Sequence, residues 1–588
     1  MPASTLTTNR SRGARLEVRS IEYVDVCPSR RTAHQFAERC RRGLRRHWLF
    51  AVVAGCAAAL RAVVQFAYQP ALIFPDSERY LEYAWRFANG HWSPDWLRTS
   101  GYSLLLLPAV LTRNLAVVAV VQHLLGLATA VLIYAVLLRF GARRWLAVLA
   151  AAPVLFDPLQ LDIEQYVLTD VSATFLLVAA LVVLVWKHGA TGKAAPAVAG
   201  LLLAAATIIR ESDLVVMIPA VLYLVAVVRP RRRLAARAAL LLAGFLLPVL
   251  GYLGWHQVSY GRFDFVDYDS QFMYGRIAQF ADCTGVPLPR YERSLCPRQP
   301  PAQRNLDFYM WSPRSPQGTL RAPPGMSKGQ VIGDFDVRII EHQPLTYLKA
   351  VAGDILYSFS PVRGDGPERY PIWYHQFHPY FPAHEDELVT LRASTGRGPY
   401  VQPALAGFLT GYGRDIYVPG PLLAAGLALG VAGLAGVGRA RQAGRRRLAG
   451  EAPRSGLRAP CLLFTIGAIA AVEPPFVIAT FDWRYELPQL SLIPIAAVLG
   501  LMALASRASD RTSATGPATG AAVTPAASNL TAVPTTRKFD TERASFTFIQ
   551  AGFMRPTASP TPPPSPPADS IDATPMPPRQ HQCHIDAV

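Results

Sequence analysis

RCRRGLRRHWLFAVVAGCAAALRAVVQFAYQPALIFPDSER, residues 39–79, runs from a cluster of arginines through an apolar stretch and ends among carboxylates. The apolar part, near residues 48–68, has the roughly 17 to 25 residues that a helix needs to cross a bilayer. Arg41, Arg42, Arg45 and Arg46 precede it and no small-residue cleavage site follows, so it reads as an uncleaved signal anchor. Basic cluster, span and external acids form a unit, and the rest of the chain repeats it.

Further apolar segments lie near 115–138, 144–157, 167–186, 196–210, 213–229, 235–255, 419–437, 460–480 and 487–505. The expected fold class is therefore an all-α polytopic membrane protein of about ten transmembrane helices. Its 588 residues are 51% hydrophobic and 17% charged, too apolar for one soluble domain and too long for a single anchor. A formal charge of +18 is compatible with nucleic acid, but the Lys and Arg sit in short clusters between the apolar runs, which makes them topology signals and leaves no nucleic-acid partner.

RCRRGLRR, RFGARR, KHGATGK, RPRRRLAAR and RARQAGRRRLAGEAPRSGLR all fall on one side, which the positive-inside rule makes the cytoplasm, together with both termini. The protein is expected as a multi-pass component of the plasma membrane. Asp76, Glu78, Glu82 and Asp95 then come out external, as do Asp157, Asp162, Glu164 and Asp170, Glu211 and Asp213, and Asp482 and Glu486. Carboxylates converge on the outer mouth of the bundle. GATGK at 189–193 lacks the spacing of a phosphate-binding loop and lies in a cytoplasmic turn, which argues against a nucleotide-driven pump.

The organisation follows: 1–47 a cytoplasmic segment, 48–255 a transmembrane catalytic core with its first external loop at 69–114, 256–418 an external loop subdomain, and 419–506 the C-terminal transmembrane helices. The loop subdomain is too long to be structureless. Residues 507–588, with TASPTPPPSPPADS, cannot build a core and read as a disordered cytoplasmic tail. Cys283 and Cys296 lie in the external subdomain and are expected to form a disulfide, whereas Cys27, Cys40 and Cys583 lie in cytoplasmic tails and Cys56 and Cys461 in spans.

Within the first external loop, Pro75-Asp76-Ser77 starts an amphipathic helix that ends at Asn89-Gly90, and Ser93-Pro94-Asp95 opens a second short one. Leu81, Ala84, Trp85 and Ala88 line one face, and Glu82 and Arg86 make an i,i+4 pair on the other. Asp76 is either the N-cap of this helix or a chemical group. Asp170 carries the same two readings. Arg61, mid-span at a cost of about 2.5 to 3.5 kcal/mol, needs a partner, either an acid from another span or a donor phosphate. Arg210 can snorkel to the surface and is not assigned to catalysis. Asp264, Asp267 and Asp269, and His375, His378 and His384, have metal-like spacing without a fixed ligand count and read as solvated loop residues; a divalent metal is not predicted, nor any other cofactor.

An Asp after the first span, a Tyr-rich helix, a Gly turn and a basic residue before SGYSLLL at 100–106 resemble the glycosyltransferase C (GT-C) superfamily, in particular the branch of protein O-mannosyltransferases and lipid A aminoarabinose transferases. LTDVSATFLLVAALVVL at 168–184, GLLLAAATIIRESDLVVMIPAVL at 200–222 and DWRYELPQLSLIPIAAVLGL at 482–501 extend the resemblance in order. Departures fall at Arg98, where the aminoarabinose branch has Lys, at Thr99 and Ser100, which replace prolines, and at the single Asp76, which replaces an Asp-Glu pair.

The resemblance implies a polyprenyl-phosphate sugar donor, an inverting transfer to a hydroxyl on a glycan, lipid or protein, and an active site on the external face. Such a transfer needs a base for the acceptor proton and positive charge on the departing phosphate. Asp76 is implied as base, Asp170 as assisting it or positioning the acceptor, and Arg98 and Arg484 as donor-phosphate ligands, to which the mid-span Arg61 is added as a candidate. Tyr80, Tyr102, Tyr485 and Glu164 are expected to bind substrate. The alternative is a secondary transporter or flippase, but seven spans before the large loop and three after it show no repeat symmetry.

Overall fold

The computed structural model describes residues 45–186, 192, 194–266, 269–366, 369–435, 454–471 and 473–514. The basic cluster at 39–44, most of KHGATGK, the loop at 439–453, Asp267 and the tail beyond 514 lie outside them. Of two units, Met1–Gly516 and Pro517–Val588, the first contains every described residue.

The first apolar stretch forms α1 (Trp48–Ala67), whose inward face carries Ala57, Arg61, Val64 and Ala67. It ends at Tyr68–Gln69, paired antiparallel with Tyr400–Val401. The loop helix α2 (Pro75–Ala88) follows, then short turns of helix at Gly101–Leu105 and Leu107–Leu111. The bundle continues with α3 (Ala116–Arg139), α4 (Arg144–Phe156), α5 (Pro158–Gln165), α6 (Asp170–Val185), α7 (Ala194–Ile209), α8 (Met217–Val227) and α9 (Arg231–Tyr260). After the long segment come α10 (Pro403–Asp415), α11 (Gly420–Ala435), α12 (Arg458–Ala470) and α13 (Leu487–Ala514).

Among the described residues five helical stretches are long and apolar enough to cross a membrane: α1, α3, α9, Arg458–Ile478 and Trp483–Ala505. Two bent pairs, α4 with α5 at 47° and α10 with α11 at 54°, make seven if each is one span. The remaining apolar segments are shorter, at 16 residues for α6 and α7 and 11 for α8, against the roughly 20 that a bilayer asks for. Each of the ten sequence segments thus holds a helix, but only some have full spanning length. The bend after α4 has a local cause, since Pro158 cannot continue the helix and Asp157 accepts from the Leu159 amide at 3.0 Å, starting a new one.

Small residues bring these helices together, as expected where lipid gives no hydrophobic drive between them. A Cβ on Gly200 of α7 would strike the Leu241 carbonyl of α9, and one on Gly244 of α9 would strike Ala197 of α7. The bundle core is filled by Ile133, Leu137, Leu155, Leu181, Leu184, Phe464 and Leu499, while a second core at one end joins α2 to Tyr68, Tyr166, Phe377 and Trp483. Residues 274–339 build a third core from Tyr274, Ile277, Tyr309, Val331, Phe335 and Ile339. Cys283 and Cys296 are joined there, with Cα atoms 6.1 Å apart.

Candidate active site

At the end of the bundle where α1 and α7 finish and α6 begins, a cavity of about 630 Å³ opens between the first loop, the 307–311 and 370–374 segments and the 475–485 stretch. Asp76 projects into it from the second position of α2. The helix does not use Asp76 as its cap: Ser77 Oγ accepts from the Phe74 amide at 2.9 Å and donates to the Val167 carbonyl at 2.8 Å. The Asp76 carboxylate is thereby left for other work. Arg98 Nη2 donates to its Oδ1 at 2.6 Å and Arg484 Nη1 to its Oδ2 at 2.9 Å. Burial pushes this carboxyl up, but the two guanidiniums outweigh it and hold the group below the usual carboxylate range.

Arg98 is placed by its neighbours. Thr99 Oγ1 donates to the Ile209 carbonyl at 2.9 Å, the Ser100 amide donates to Tyr252 Oη at 3.2 Å, and Gly101 sits too close to the Ile208 carbonyl to carry a Cβ. The second helix expected at Ser93-Pro94-Asp95 does not form. Asp95 turns its carboxylate to the Leu97 amide and to Arg79, which grips it through Nε and Nη2, and a turn replaces the helix. The expected Glu82–Arg86 pair is present at 3.5 Å.

Arg484 is held from behind. Its Nε lies 2.9 Å from Asp482 Oδ2, and Asp482 Oδ1 lies 2.6 Å from His375 Nε2. Burial raises the Asp482 carboxyl, while His375 and Arg484 together pull it down to about 2. Asp170 heads α6 and accepts from Arg210 Nη1 at 3.0 Å, with no side-chain cap bond at Thr169. The Arg210 guanidinium lies 5.0 Å from the Tyr485 ring centre. Arg210, set aside from sequence as a snorkelling residue, thus lines the cavity beside Asp170. Asp307, which accepts from Tyr370 Oη at 3.1 Å, also lines it and carried no sequence signal.

Of the sequence candidates, Asp76, Asp170, Arg98, Arg484, Tyr80 and Tyr485 line this cavity. Arg61, Glu164 and Tyr102 do not. Arg61 donates to Glu164 Oε1 at 2.8 Å and to the Val154 and Leu155 carbonyls at 2.9 Å, deep in the bundle. Glu164 Oε2 lies 2.8 Å from His123 Nδ1, and Gly126 leaves the room this pair needs. Arg61 is therefore the inter-span ion pair rather than a phosphate ligand, because its partner is a buried acid. Tyr102 is buried, its hydroxyl 3.0 Å from Gln122 Oε1. Among the described residues no three His, Cys, Asp or Glu side chains gather as a metal site. His375 is engaged by Asp482 and His378 Nε2 lies 2.9 Å from the Trp373 carbonyl, so neither is a solvated loop residue.

The lining also holds the apolar Leu97, Ile209, Leu214, Val215, Met310, Ile478 and Ala479, beside the polar Thr99, Thr169, Glu211 and Ser212. A carboxylate between two guanidiniums, in a cavity that also presents apolar side chains, suits a ligand with a phosphate and a hydrocarbon portion.

Residues 108–260, a little over a quarter of the chain, match the family described as dolichyl-phosphate-mannose-protein mannosyltransferase. No curated protein and no solved structure gives a significant match. The family match and the apolar helices support a membrane glycosyltransferase of the GT-C superfamily. The matched segment contains Asp170 and Arg210 but begins after Asp76 and Arg98 and ends before Arg484.

Proposed function

We propose, from the family match and the cavity together, that this chain moves a sugar from a polyprenyl phosphate to a hydroxyl acceptor at the external mouth of the bundle, with inversion at the anomeric carbon. Mannose is the first donor sugar to try, because the matching family is described by it. The observation that carries the reading is Asp76 lying between Arg98 and Arg484 in a cavity with a partly apolar lining.

The acceptor oxygen attacks the anomeric carbon, the bond from that carbon to the phosphate oxygen breaks with its electron pair going to phosphate, and the acceptor proton passes to Asp76. Arg98 and Arg484 neutralise the charge that grows on the departing polyprenyl phosphate. No strong acid is needed, because phosphate leaves as a stable anion. Both guanidiniums are on Asp76 in the structure, so the donor phosphate has to compete with Asp76 for their N–H groups. That exchange links binding to chemistry: as the phosphate takes the arginines, Asp76 loses the charges that make it a poor base. Asp170 and Arg210, the latter 5.0 Å from the Tyr485 ring centre, orient the acceptor, and the apolar part of the lining takes the start of the polyprenyl chain.

Asp76→Asn tests the assignment. The α2 start depends on Ser77, so the variant folds. Asn has no basic carboxylate, and transfer is expected to fall by about 10² to 10⁴. Binding of polyprenyl-phosphate mannose is expected to hold or tighten, since the guanidiniums lose a competitor. A folded Asp76→Asn protein with the wild-type transfer rate removes Asp76 from the mechanism.

A further inference from the structure

Four polar side chains from three distant parts of the sequence stand in line. His375 Nε2 lies 2.6 Å from Asp482 Oδ1, Asp482 Oδ2 lies 2.9 Å from Arg484 Nε, and Arg484 Nη1 lies 2.9 Å from Asp76 Oδ2. His375 closes a short helical turn, Ile372–His375, in the long segment before α10, and its side chain is 0% exposed. Its ring stacks on Phe74, with centroids 5.5 Å apart and planes at 19°, and the Arg484 guanidinium lies 4.9 Å from the centre of the same Phe74 ring. Phe74 is thus a spacer between histidine and arginine, two residues before Asp76.

The two arginines on Asp76 are tethered differently. Among the described residues the only ion pair of Arg98 is with Asp76, and its guanidinium otherwise lies over Phe272 at 5.0 Å. Arg484 bridges two carboxylates, Asp76 in front and Asp482 behind. Its forward direction depends on how much of Asp482 it has to satisfy. Asp482 is 1% exposed, and a buried carboxylate oxygen without a partner is costly, whereas a guanidinium can serve both oxygens of one carboxylate with two parallel N–H bonds. With the imidazole at Oδ1, the Arg484 guanidinium meets Asp482 through Nε alone, while the Arg484 amide also donates to Oδ1 at 3.2 Å, and the Nη groups stay at the cavity. Without the imidazole Oδ1 keeps only the Arg484 backbone amide at 3.2 Å, a single neutral donor, and the guanidinium is drawn back to both oxygens.

We propose that His375 is a positioning residue for phosphate recognition: by occupying Asp482 Oδ1 it stops Arg484 from closing on Asp482 and keeps its Nη groups presented to the donor phosphate. This rests on the reading of the cavity as a polyprenyl-phosphate site. Arg484 is then the fixed member of the phosphate clamp and Arg98 the one that follows the ligand. His375 touches neither substrate, and its effect passes through Asp482.

The test is equilibrium binding to the purified full chain, comparing a polyprenyl phosphate with the polyprenyl alcohol of the same length. If wild type binds the phosphate no better than the alcohol, the reading of the cavity fails before any variant is compared. If it prefers the phosphate, His375→Phe, which keeps the ring on Phe74 and removes the nitrogen, is expected to weaken phosphate binding about tenfold, as displacement of a supporting group typically does, and to leave alcohol binding unchanged. His375→Gln, which can still reach Oδ1 with an N–H, is expected to stay within about twofold of wild type. A merely structural histidine moves both ligands together or neither, and a folded His375→Phe protein with the wild-type preference overturns the proposal. Should His375→Phe not accumulate, Asp482→Asn enters the same chain one link nearer Arg484, and an unchanged preference there overturns it equally.

Discussion

At the scale of single residues, Asp76 is a carboxylate whose basicity is set by its neighbours. Burial raises it and the Arg98 and Arg484 guanidiniums, which together prevail, lower it, so without donor it is ionised at any pH above the ordinary carboxylate value of about 3.9. A bound donor adds a negative phosphate and shares the arginines, and both changes raise the carboxyl. The acid limb of the transfer rate reports the ionised base. It is therefore expected at lower pH in kcat/KM for the donor, which reflects the free protein, than in the rate at saturating donor. Rate profiles from pH 4 to 8 check this, and limbs at the same pH in both would contradict the exchange of arginines. Asp76, Arg98 and Arg484 were legible in the sequence because each sits in a short motif beside a span. Arg210 was not, since an arginine near a helix end has an inexpensive escape to the surface, and nothing in IIRES shows that Asp170 lies 3.0 Å away. Asp307 and His375 were hidden for a different reason: loop residues far along the chain reach the site through folding of the long segment, not through any local pattern. Arg61 carried its own cost and hence a demand for a partner, but only the structure identifies Glu164 as the acid that meets it.

Elements were more legible than their ends. The apolar runs marked helices throughout, but the stripe expected on α2 holds only in part: Leu81 and Ala84 are buried, Trp85 is 59% exposed, and Tyr80, Tyr83 and Phe87 complete the buried face instead. Its first turn was harder. Pro75-Asp76-Ser77 offers two side chains able to serve the Phe74 amide, and the choice of Ser77 depends on the Val167 carbonyl, which arrives from 90 residues downstream to take the hydroxyl proton. Ser77→Ala strips a buried amide and a buried carbonyl of one partner each. A loss of about 1 to 3 kcal/mol follows from leaving such a group unsatisfied, read as a lowered thermal midpoint of the purified protein. An unchanged midpoint would return the cap to Asp76. Asp95 failed as a helix start for a related reason: Arg79, one turn into α2, claims its carboxylate. Helix lengths were also beyond the sequence pattern, because the bend at Asp157-Pro158 and the short α6, α7 and α8 reflect packing in the bundle.

For the whole molecule, the alternation of basic clusters, apolar runs and acids announced a membrane protein with a charged mouth, and of those acids the fold brings Asp76, Asp170 and Glu211 to one cavity with Arg79, Arg98, Arg210, Arg484 and a set of apolar side chains. Such a mouth would also serve a transporter of a lipid-linked sugar. The two activities part on a single bond, the one between the anomeric carbon and the phosphate oxygen, which a transferase breaks and a transporter leaves intact. The direct measurement places the purified chain in liposomes with polyprenyl-phosphate mannose labelled in the sugar, a hydroxyl-bearing peptide acceptor and no nucleotide. Transfer predicts label leaving the lipid, free polyprenyl phosphate appearing in equal amount, and product of inverted anomeric configuration, all lost with Asp76→Asn. Labelled lipid that crosses the bilayer with its sugar still attached, at a rate indifferent to Asp76→Asn, would contradict the account.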